Sequence, residues 1–279
     1  MAGPHDKILQ DYQNVELLKE GGQKAAYLAT DPTHGRVVVK IGRYPSASSL
    51  ERIRREVDVL RDIVSPYYPK NIDFRVEPPD LFVVVEEFVE SRPLSDCVED
   101  FEEAKTALAL LKEIITGLTV LWDKRIVHRD IKPENVLILP DTSPKIIDLG
   151  IARLLDEESL TKTINARGPC TPAYASPAQL KNRKAQIDQR TDQFSLGILL
   201  VQLLLRGAHP FDPNVVRSGD SIVANILAGH WCRAELQKKA VPICIQELAA
   251  KLLGAEPFRR FRNAEAILTA IAACEAEVQ

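Results

Sequence analysis

The sequence predicts an α+β fold in two lobes, a small β-rich lobe followed by a larger and mainly helical one. Short runs of β-forming residues dominate between residues 12 and 90, with one helical segment among them. After residue 91 the pattern changes to long segments with apolar residues at helical spacing. A chain of 279 residues can form two packed lobes with a cleft between them, and ligand sites are common in such clefts.

The first part of the chain contains the predicted strands, with one helix between the third strand and the fourth. The helix is expected within residues 46–64, where Leu50 and Ile53 begin an apolar series at helical spacing and Ser46 offers a capping hydroxyl. The strands are predicted at residues 12–18, 25–31, 36–42, 71–77 and 81–89.

The rest of the chain is predicted to be mainly helical, interrupted by two short strands at residues 135–139 and 144–148. The run at 196–205 is too short to span a bilayer, so it indicates a buried core helix. We predict one domain over residues 1–279, with an N-lobe of about 12–90 and a C-lobe of about 91–275. The other helices are predicted at residues 102–125, 244–254 and 264–277.

Composition and charge exclude several classes of protein. A formal net charge of −3 gives no electrostatic reason to expect a nucleic-acid or membrane-surface partner. The five cysteines are scattered without C-x-x-C or zinc-type spacing, which indicates reduced thiols and a cytoplasmic protein. No apolar segment of signal-peptide type is seen at the N-terminus. The oligomeric state has no signature in the sequence.

The most specific motif is VHRDIKPENVLI at residues 127–138, followed by IIDLG at residues 146–150. On these residues the chain resembles the eukaryotic-like serine/threonine protein kinase family, in a compact bacterial-type form. The resemblance implies the two-lobed protein-kinase fold and extends over residues 12–275. It includes TPAYASPA at 171–178, DQFSLGILL at 192–200 and EPFRRF at 256–261.

The resemblance implies two catalytic residues in the HRDIKPEN motif. Asp130 would orient the attacking hydroxyl and accept its proton, and Lys132 would neutralise charge on the γ-phosphate of ATP. A lysine at this position is the serine/threonine-type pattern, so the expected activity is ATP-dependent phosphoryl transfer to serine or threonine of a protein substrate.

The resemblance also implies the residues that bind nucleotide and metal. Lys40 would contact the α- and β-phosphates, and Glu56 would hold its ammonium group. Asn135 and Asp148 offer the hard oxygen ligands that suit Mg²⁺, with Mn²⁺ as a possible substitute.

The glycine loop and the hinge depart from the family pattern. Two of the three usual glycine positions are lysines, so we expect Gly21 and Gly22 to make the turn over the nucleotide and Lys24 to add a positive charge. Glu86 falls at the position before the hinge, where a buried carboxylate needs a partner. Adenine is expected to bond to the backbone between Glu87 and Val89.

The activation segment departs from the pattern as well. The usual A-P-E reads S-P-A here, so Arg260 lacks its glutamate and needs another acceptor, either Gln179 or a backbone carbonyl. Of the hydroxyls at Ser159, Thr161 and Thr163, we expect autophosphorylation at Thr161 or Thr163.

Alternative interpretations remain open at this point. Lys40 and Glu56 could be an ordinary surface pair, and Asp130, Asn135 and Asp148 could be turn residues. A pseudokinase acting as a nucleotide-binding interaction module would fit the loss of two loop glycines and of the A-P-E glutamate. A small-molecule kinase of the aminoglycoside type shares an H-x-D-x-x-x-x-N skeleton, but it would have no need of a protein-docking segment.

Overall fold

The structure is a computed structural model that describes residues 4–21, 24–44, 46–61, 63–148 and 172–278. The chain divides into two compact units with the boundary between Glu90 and Ser91. The described part of the first unit lies within residues 4–90, and that of the second comprises residues 91–148 and 172–278.

The first unit is built on an antiparallel five-stranded sheet of order β1-β2-β3-β5-β4. The predicted strands are all present, and the predicted helix begins where Ser46 accepts a hydrogen bond from the Ser49 amide at 3.1 Å. Helix α1, which the sequence reading did not predict, precedes the sheet. The elements are α1 (Pro4–Leu9), β1 (Gln13–Glu20), β2 (Lys24–Asp31), β3 (Gly35–Arg43), α2 (Ala47–Arg61), β4 (Asn71–Glu77) and β5 (Leu81–Glu87).

The two faces of this sheet have different partners because side chains alternate along each strand. On one face, Val39 of β3 and Val85 of β5 belong to an apolar cluster that also includes Ile8 of α1. On the other face, Phe82 and Val84 of β5 pack with buried apolar residues of α2. Lys40 is opposite Val84 in the register of β3 and β5, so it lies on the α2 face.

The second unit is mainly helical and contains a small antiparallel sheet of order β6-β7-β8. Short 3₁₀ turns join several of its elements, including Pro133–Asn135 between the loop at residues 126–132 and β7. The strands are β6 (Arg92–Pro93), β7 (Val136–Ile138) and β8 (Pro144–Ile146). The helices are α3 (Ala104–Trp122), α4 (Pro177–Leu180), α5 (Gln189–Leu204), α6 (Pro213–Val216), α7 (Ile222–Ala228), α8 (Arg233–Lys238), α9 (Ile243–Leu252) and α10 (Ala264–Glu277).

Helix α5 is the centre of the second unit. Every residue from Thr191 to Leu204 is buried, as the apolar run at 196–205 predicted. Gly197 lets α9 approach closely, since a Cβ at this position would lie 2.9 Å from Leu252 Cβ. The predicted α+β fold class is confirmed, while the short helices α4, α6, α7 and α8 were not predicted. Within the described part of the chain, no helix has the length and apolarity needed to cross a bilayer.

Candidate active site

Lys40 lies in the middle of β3 and makes an ion pair with the neighbouring strand. Its Nζ is 2.6 Å from Glu86 Oε2 on β5, and both side chains are largely buried. The carboxylate at position 86 therefore has the partner that its burial requires. Glu56 lies on α2, but its side chain is not among those the structure describes.

The predicted hinge follows β5 directly. The Glu87 amide donates to the Lys70 carbonyl at 2.9 Å, and the Phe88 amide donates to the Arg36 carbonyl at 3.2 Å. These bonds use the two N–H groups within the first unit. An adenine ring at Glu87 would therefore have to bond to the carbonyl oxygen of this residue. The first backbone N–H after these two belongs to Val89.

The glycine loop joins β1 to β2. The Gly21 amide donates to the Lys24 carbonyl at 2.9 Å, which closes the hairpin, and Lys24 pairs with Gly42 in the register of β2 and β3. Gly22 lies outside the described residues.

The ring of His128 supports the loop at residues 126–132, which is named the catalytic loop because it contains the HRDIK part of the motif. Nε2 of this fully buried ring lies 3.1 Å from the Ile147 carbonyl, and Nδ1 accepts from the Asp130 amide at 3.3 Å. These contacts fit the neutral ring protonated at Nε2, and burial lowers the pKa of His128. Both ring nitrogens are thus engaged with backbone groups, so His128 has a structural place in this loop.

The two carboxylate oxygens of Asp130 have different environments. Oδ2 accepts from Asn135 Nδ2 at 2.9 Å and lies 2.9 Å from Lys132 Nζ. Oδ1 is buried and has no hydrogen-bond partner among the described residues. One oxygen thus fixes the orientation of the carboxylate, and the other is left as an acceptor.

Asp192, near the start of α5, anchors the backbone of the catalytic loop. Its carboxylate accepts from the amides of His128 at 2.9 Å and Arg129 at 2.7 Å, and from Trp122 Nε1 at 2.9 Å. Arg129 has a φ of 65°, a left-handed conformation that is unusual for a residue with a side chain. Burial raises the pKa of Asp192, against the lowering effects of His128 and the three donors. In the sequence, Asp192 is the first residue of DQFSLGILL, one of the segments of the family resemblance, but nothing there indicated this role.

Asn135 and Asp148 are connected through the backbone. The Ile147 amide donates to the Asn135 carbonyl at 3.0 Å, so Asp148 follows immediately after a residue bonded to Asn135. The side-chain nitrogen Nδ2 of Asn135 donates to Asp130 Oδ2 and, at 2.8 Å, to the Asp130 backbone carbonyl. This orientation leaves the Asn135 side-chain oxygen as the atom able to coordinate a cation.

These two residues fit the ligand preference of Mg²⁺. The ion binds hard oxygen ligands, keeps several waters, and is commonly held by one or two protein groups together with substrate phosphates. No cluster of three or more His, Cys, Asp or Glu side chains suited to a metal occurs within the described residues. A pair of oxygen ligands completed by phosphate therefore matches the donor set better than an all-protein cage would.

Residues 149–171 of the activation segment (residues 148–178) lie outside the described residues, and with them Ser159, Thr161 and Thr163. Arg260, which lacks the usual glutamate of this segment, binds elsewhere. The buried guanidinium donates to the carbonyls of Gly254 at 2.7 Å, Arg190 at 2.6 Å and Ala255 at 3.2 Å. Backbone carbonyls thus serve as the acceptors, one of the two options that the sequence left open.

Gln179 instead contacts the catalytic loop. It forms a capping box with Ser176 at the start of α4, and its Nε2 donates to the Arg129 carbonyl at 3.1 Å. Arg129 directly precedes Asp130, so Gln179 ties the end of the activation segment to the loop that carries the candidate base.

Replacing Gln179 tests this link. We expect Gln179→Leu to cost about 1–2 kcal/mol of stability through loss of the cap and of the bond to Arg129, and to lower kcat several-fold. Gln179→Glu keeps an acceptor for the Ser176 amide but sets a carboxylate oxygen against the Arg129 carbonyl. It should therefore lower kcat at least as much with a smaller stability loss. The exposed Gln237→Leu is the control, and equal kcat in all variants would contradict the link.

His209 is a buried histidine of the second unit, and both of its ring nitrogens have backbone partners. Its Nε2 lies 3.0 Å from the Ala173 carbonyl, and its Nδ1 accepts from the Phe211 amide at 3.2 Å. Burial lowers the pKa of His209 to about 4, although Ala173 and Asp212 act to raise it. The unfolded chain therefore binds a proton at a higher pH than the native chain does, and the free energy of unfolding falls as pH drops from 6.5 towards 4.

We expect this residue to account for about 2 kcal/mol of stability lost between pH 7.5 and pH 5. Urea unfolding at both pH values should show a smaller loss in His209→Gln than in the wild type. Part of the pH dependence of stability should remain in this variant because His128 is unchanged. The exposed His230→Gln is the control, and an unchanged loss in His209→Gln would contradict the assignment.

Comparison with known proteins identifies the class to which this fold and site belong. The protein kinase domain family matches residues 12–270. The chain therefore belongs to the protein kinase family.

Similar proteins include the serine/threonine-protein kinases PrkC of Bacillus subtilis and pkn2 of Myxococcus xanthus, each 31% identical. The alignments cover 93% of this chain and 40% of PrkC, and 98% of this chain and 34% of pkn2. PknA of Corynebacterium glutamicum is 30% identical over 94% of this chain and 56% of its own length. The chain thus spans between about a third and just over half of these relatives.

A crystal structure of Rad53 (residues 1–466) in complex with AMP-PNP is also similar. The TM-score is 0.73 at 24% identity, with 94% of this chain and 65% of that chain covered. This likeness confirms the predicted protein-kinase fold.

Proposed function

We propose that the chain transfers the γ-phosphoryl group of ATP to serine or threonine hydroxyls of a protein substrate. The observation that carries the proposal is the asymmetry of Asp130. Its Oδ2 is held by Asn135 and Lys132, while its buried Oδ1 has no partner among the described residues. A carboxylate fixed in this way can accept a hydrogen bond from the attacking hydroxyl. It takes the proton as the new P–O bond forms and the bond from the γ-phosphorus to the bridging oxygen breaks, releasing ADP.

The other residues are assigned to charge neutralisation and binding. Lys132 neutralises charge on the γ-phosphate, and Lys40, supported by Glu56, binds the α- and β-phosphates. Asn135 and Asp148 hold Mg²⁺, for which Mn²⁺ could substitute. When bound, the ion supplies positive charge to the phosphates of ATP.

Nucleotide binding in the first unit is assigned to two segments. Gly21, Gly22 and Lys24 form the loop over the phosphates. The backbone of Glu87 and Val89 binds adenine.

We also propose that residues 1–279 form a single kinase domain with lobes of about 12–90 and 91–275, and that it works in the cytoplasm. The free thiols of Cys97, Cys232, Cys244 and Cys274 support a reducing compartment.

The pseudokinase alternative is not favoured. A protein that only binds nucleotide has no chemical need of an oriented carboxylate with a free acceptor oxygen. Such a protein also has no use for a lysine 2.9 Å from that carboxylate.

The test is transfer of label from γ-labelled ATP to a generic protein substrate in the presence of magnesium. We expect phosphoserine or phosphothreonine with the wild type and almost none with Asp148→Asn, because that variant lacks the proposed carboxylate ligand. Peptide mapping after the same incubation should find phosphate on Thr161 or Thr163. Nucleotide binding without transfer by the wild type would contradict the proposal.

A further inference from the structure

The ion pair between Lys40 and Glu86 follows from strand register. Val38 is opposite Glu86 and Lys40 is opposite Val84, so Lys40 and Glu86 are diagonal neighbours on one face of the sheet. Long side chains reach each other across this diagonal, and the Nζ–Oε2 distance of 2.6 Å is that of a strong charge-assisted hydrogen bond.

Burial separates this pair from ordinary surface ion pairs. The side chains of Lys40 and Glu86 are 9% and 19% exposed, whereas those of Arg36 and Glu90 are 53% and 78% exposed. The Lys132–Asp130 pair is buried to a similar degree, with side chains 11% and 16% exposed. Both lysines assigned to phosphate are thus in buried ion pairs.

Placing a carboxylate at position 86 costs free energy, because the neighbouring surface is apolar. Phe82 and Val84 precede it on the same face of β5 and pack with apolar residues of α2. Removing a carboxylate from water costs several kcal/mol, and an apolar side chain would continue this surface at no such cost. A role that requires a charge next to Lys40 explains the carboxylate.

We propose that Glu86 is a positioning residue that orients the Lys40 ammonium for the phosphates of ATP. The inference rests on the proposed function. An ammonium group has three N–H donors, and a 2.6 Å bond to Glu86 uses one and fixes the directions of the other two. Fixing a free lysine side chain costs rotamer entropy, and a lysine already held by the adjacent strand avoids most of that cost when nucleotide binds.

Two other roles for the same contact make different predictions. If Glu86 only stabilises the sheet, its loss changes stability and leaves the ATP kinetics unchanged. If Glu86 sequesters Lys40 from phosphate, its loss improves use of ATP.

The experiment compares the wild type with Glu86→Gln, which has nearly the same shape and no charge, and with Glu86→Asp, which keeps the charge on a shorter side chain. Glu77→Gln is the control, since Glu77 pairs with Arg75 at 3.2 Å in a more exposed ion pair of the same sheet. We measure kcat and KM for ATP, the dissociation constant of a non-hydrolysable ATP analogue with magnesium, and the thermal midpoint.

We expect Glu86→Gln to lower kcat/KM for ATP about tenfold and to weaken analogue binding, while Glu77→Gln matches the wild type. Glu86→Asp should recover part of the loss and provides the test if Glu86→Gln does not fold. Unchanged or improved kcat/KM and analogue affinity in a folded variant would overturn the inference. A wild type that binds the analogue without transferring phosphate would refute the proposed function, and the binding constants would still test Glu86.

Discussion

Asp130→Asn should lower kcat for phosphoryl transfer by about 10²–10⁴-fold while leaving ATP affinity close to that of the wild type. Asparagine can keep the two contacts that orient the side chain, because its oxygen can take the place of Asp130 Oδ2 and accept from Asn135 Nδ2 and Lys132 Nζ. Its NH₂ group would then replace Oδ1, the buried oxygen that has no partner among the described residues. A donor at that position cannot accept the proton of the attacking hydroxyl.

The measurement pairs steady-state kinetics with titration of a non-hydrolysable ATP analogue. Asp220→Asn makes the same change at an exposed carboxylate of the second unit and should behave as the wild type. A fall in kcat of less than tenfold in a folded Asp130→Asn protein would rule out Asp130 as the base. Equal losses of affinity and kcat would indicate that Asp130 acts in binding.

Asp192→Ala should have the largest effect on stability. The change leaves the amides of His128 and Arg129 and the indole N–H of Trp122 without their acceptor. Each buried donor left unpaired costs about 1–3 kcal/mol, so we expect a loss of about 4 kcal/mol in the free energy of unfolding. For a domain of this size the thermal midpoint should fall by about 10 °C or more.

Activity should fall as well in Asp192→Ala, because the same amides hold the left-handed turn at Arg129 that precedes Asp130. Calorimetry and kinetics well below the new midpoint separate the two effects. The exposed Asp123→Ala is the control. A midpoint within 2 °C of the wild type would show that Asp192 does not anchor the loop.

Much of the fold could be predicted because it depends on local patterns. The apolar runs predicted β3 and β5, and the helical spacing from Leu50 with the cap at Ser46 predicted α2. The short helices of the second unit were missed because segments of four to seven residues carry too little periodicity to stand out.

The candidate site was predictable only in part. Asp130, Lys132 and Asn135 lie within six residues of one another, and the structure joins their side chains as a compact motif would suggest. Contacts between distant segments could not be anticipated in the same way. The Lys40–Glu86 pair depends on the register of two strands, and the Asp192 contacts cross more than 60 residues of sequence. Local spacing carries no information about such pairings.

Arg260 shows the same limit in another form. The sequence showed that its usual glutamate is missing, and the cost of an unpaired buried cation required some acceptor. Only the structure identifies the three carbonyls, because backbone acceptors have no residue type that could mark them.

The most direct test of the account is the rate of label transfer from ATP to protein serine or threonine by the wild type and by Asp130→Asn, both saturated with magnesium ATP. Saturation removes differences in nucleotide binding, so the comparison isolates the step in which Oδ1 accepts the proton. We expect phosphoserine or phosphothreonine from the wild type and a rate at least 100-fold lower from the variant, within the range of general-base catalysis. Equal rates, or ATP binding by the wild type with no transfer, would contradict it.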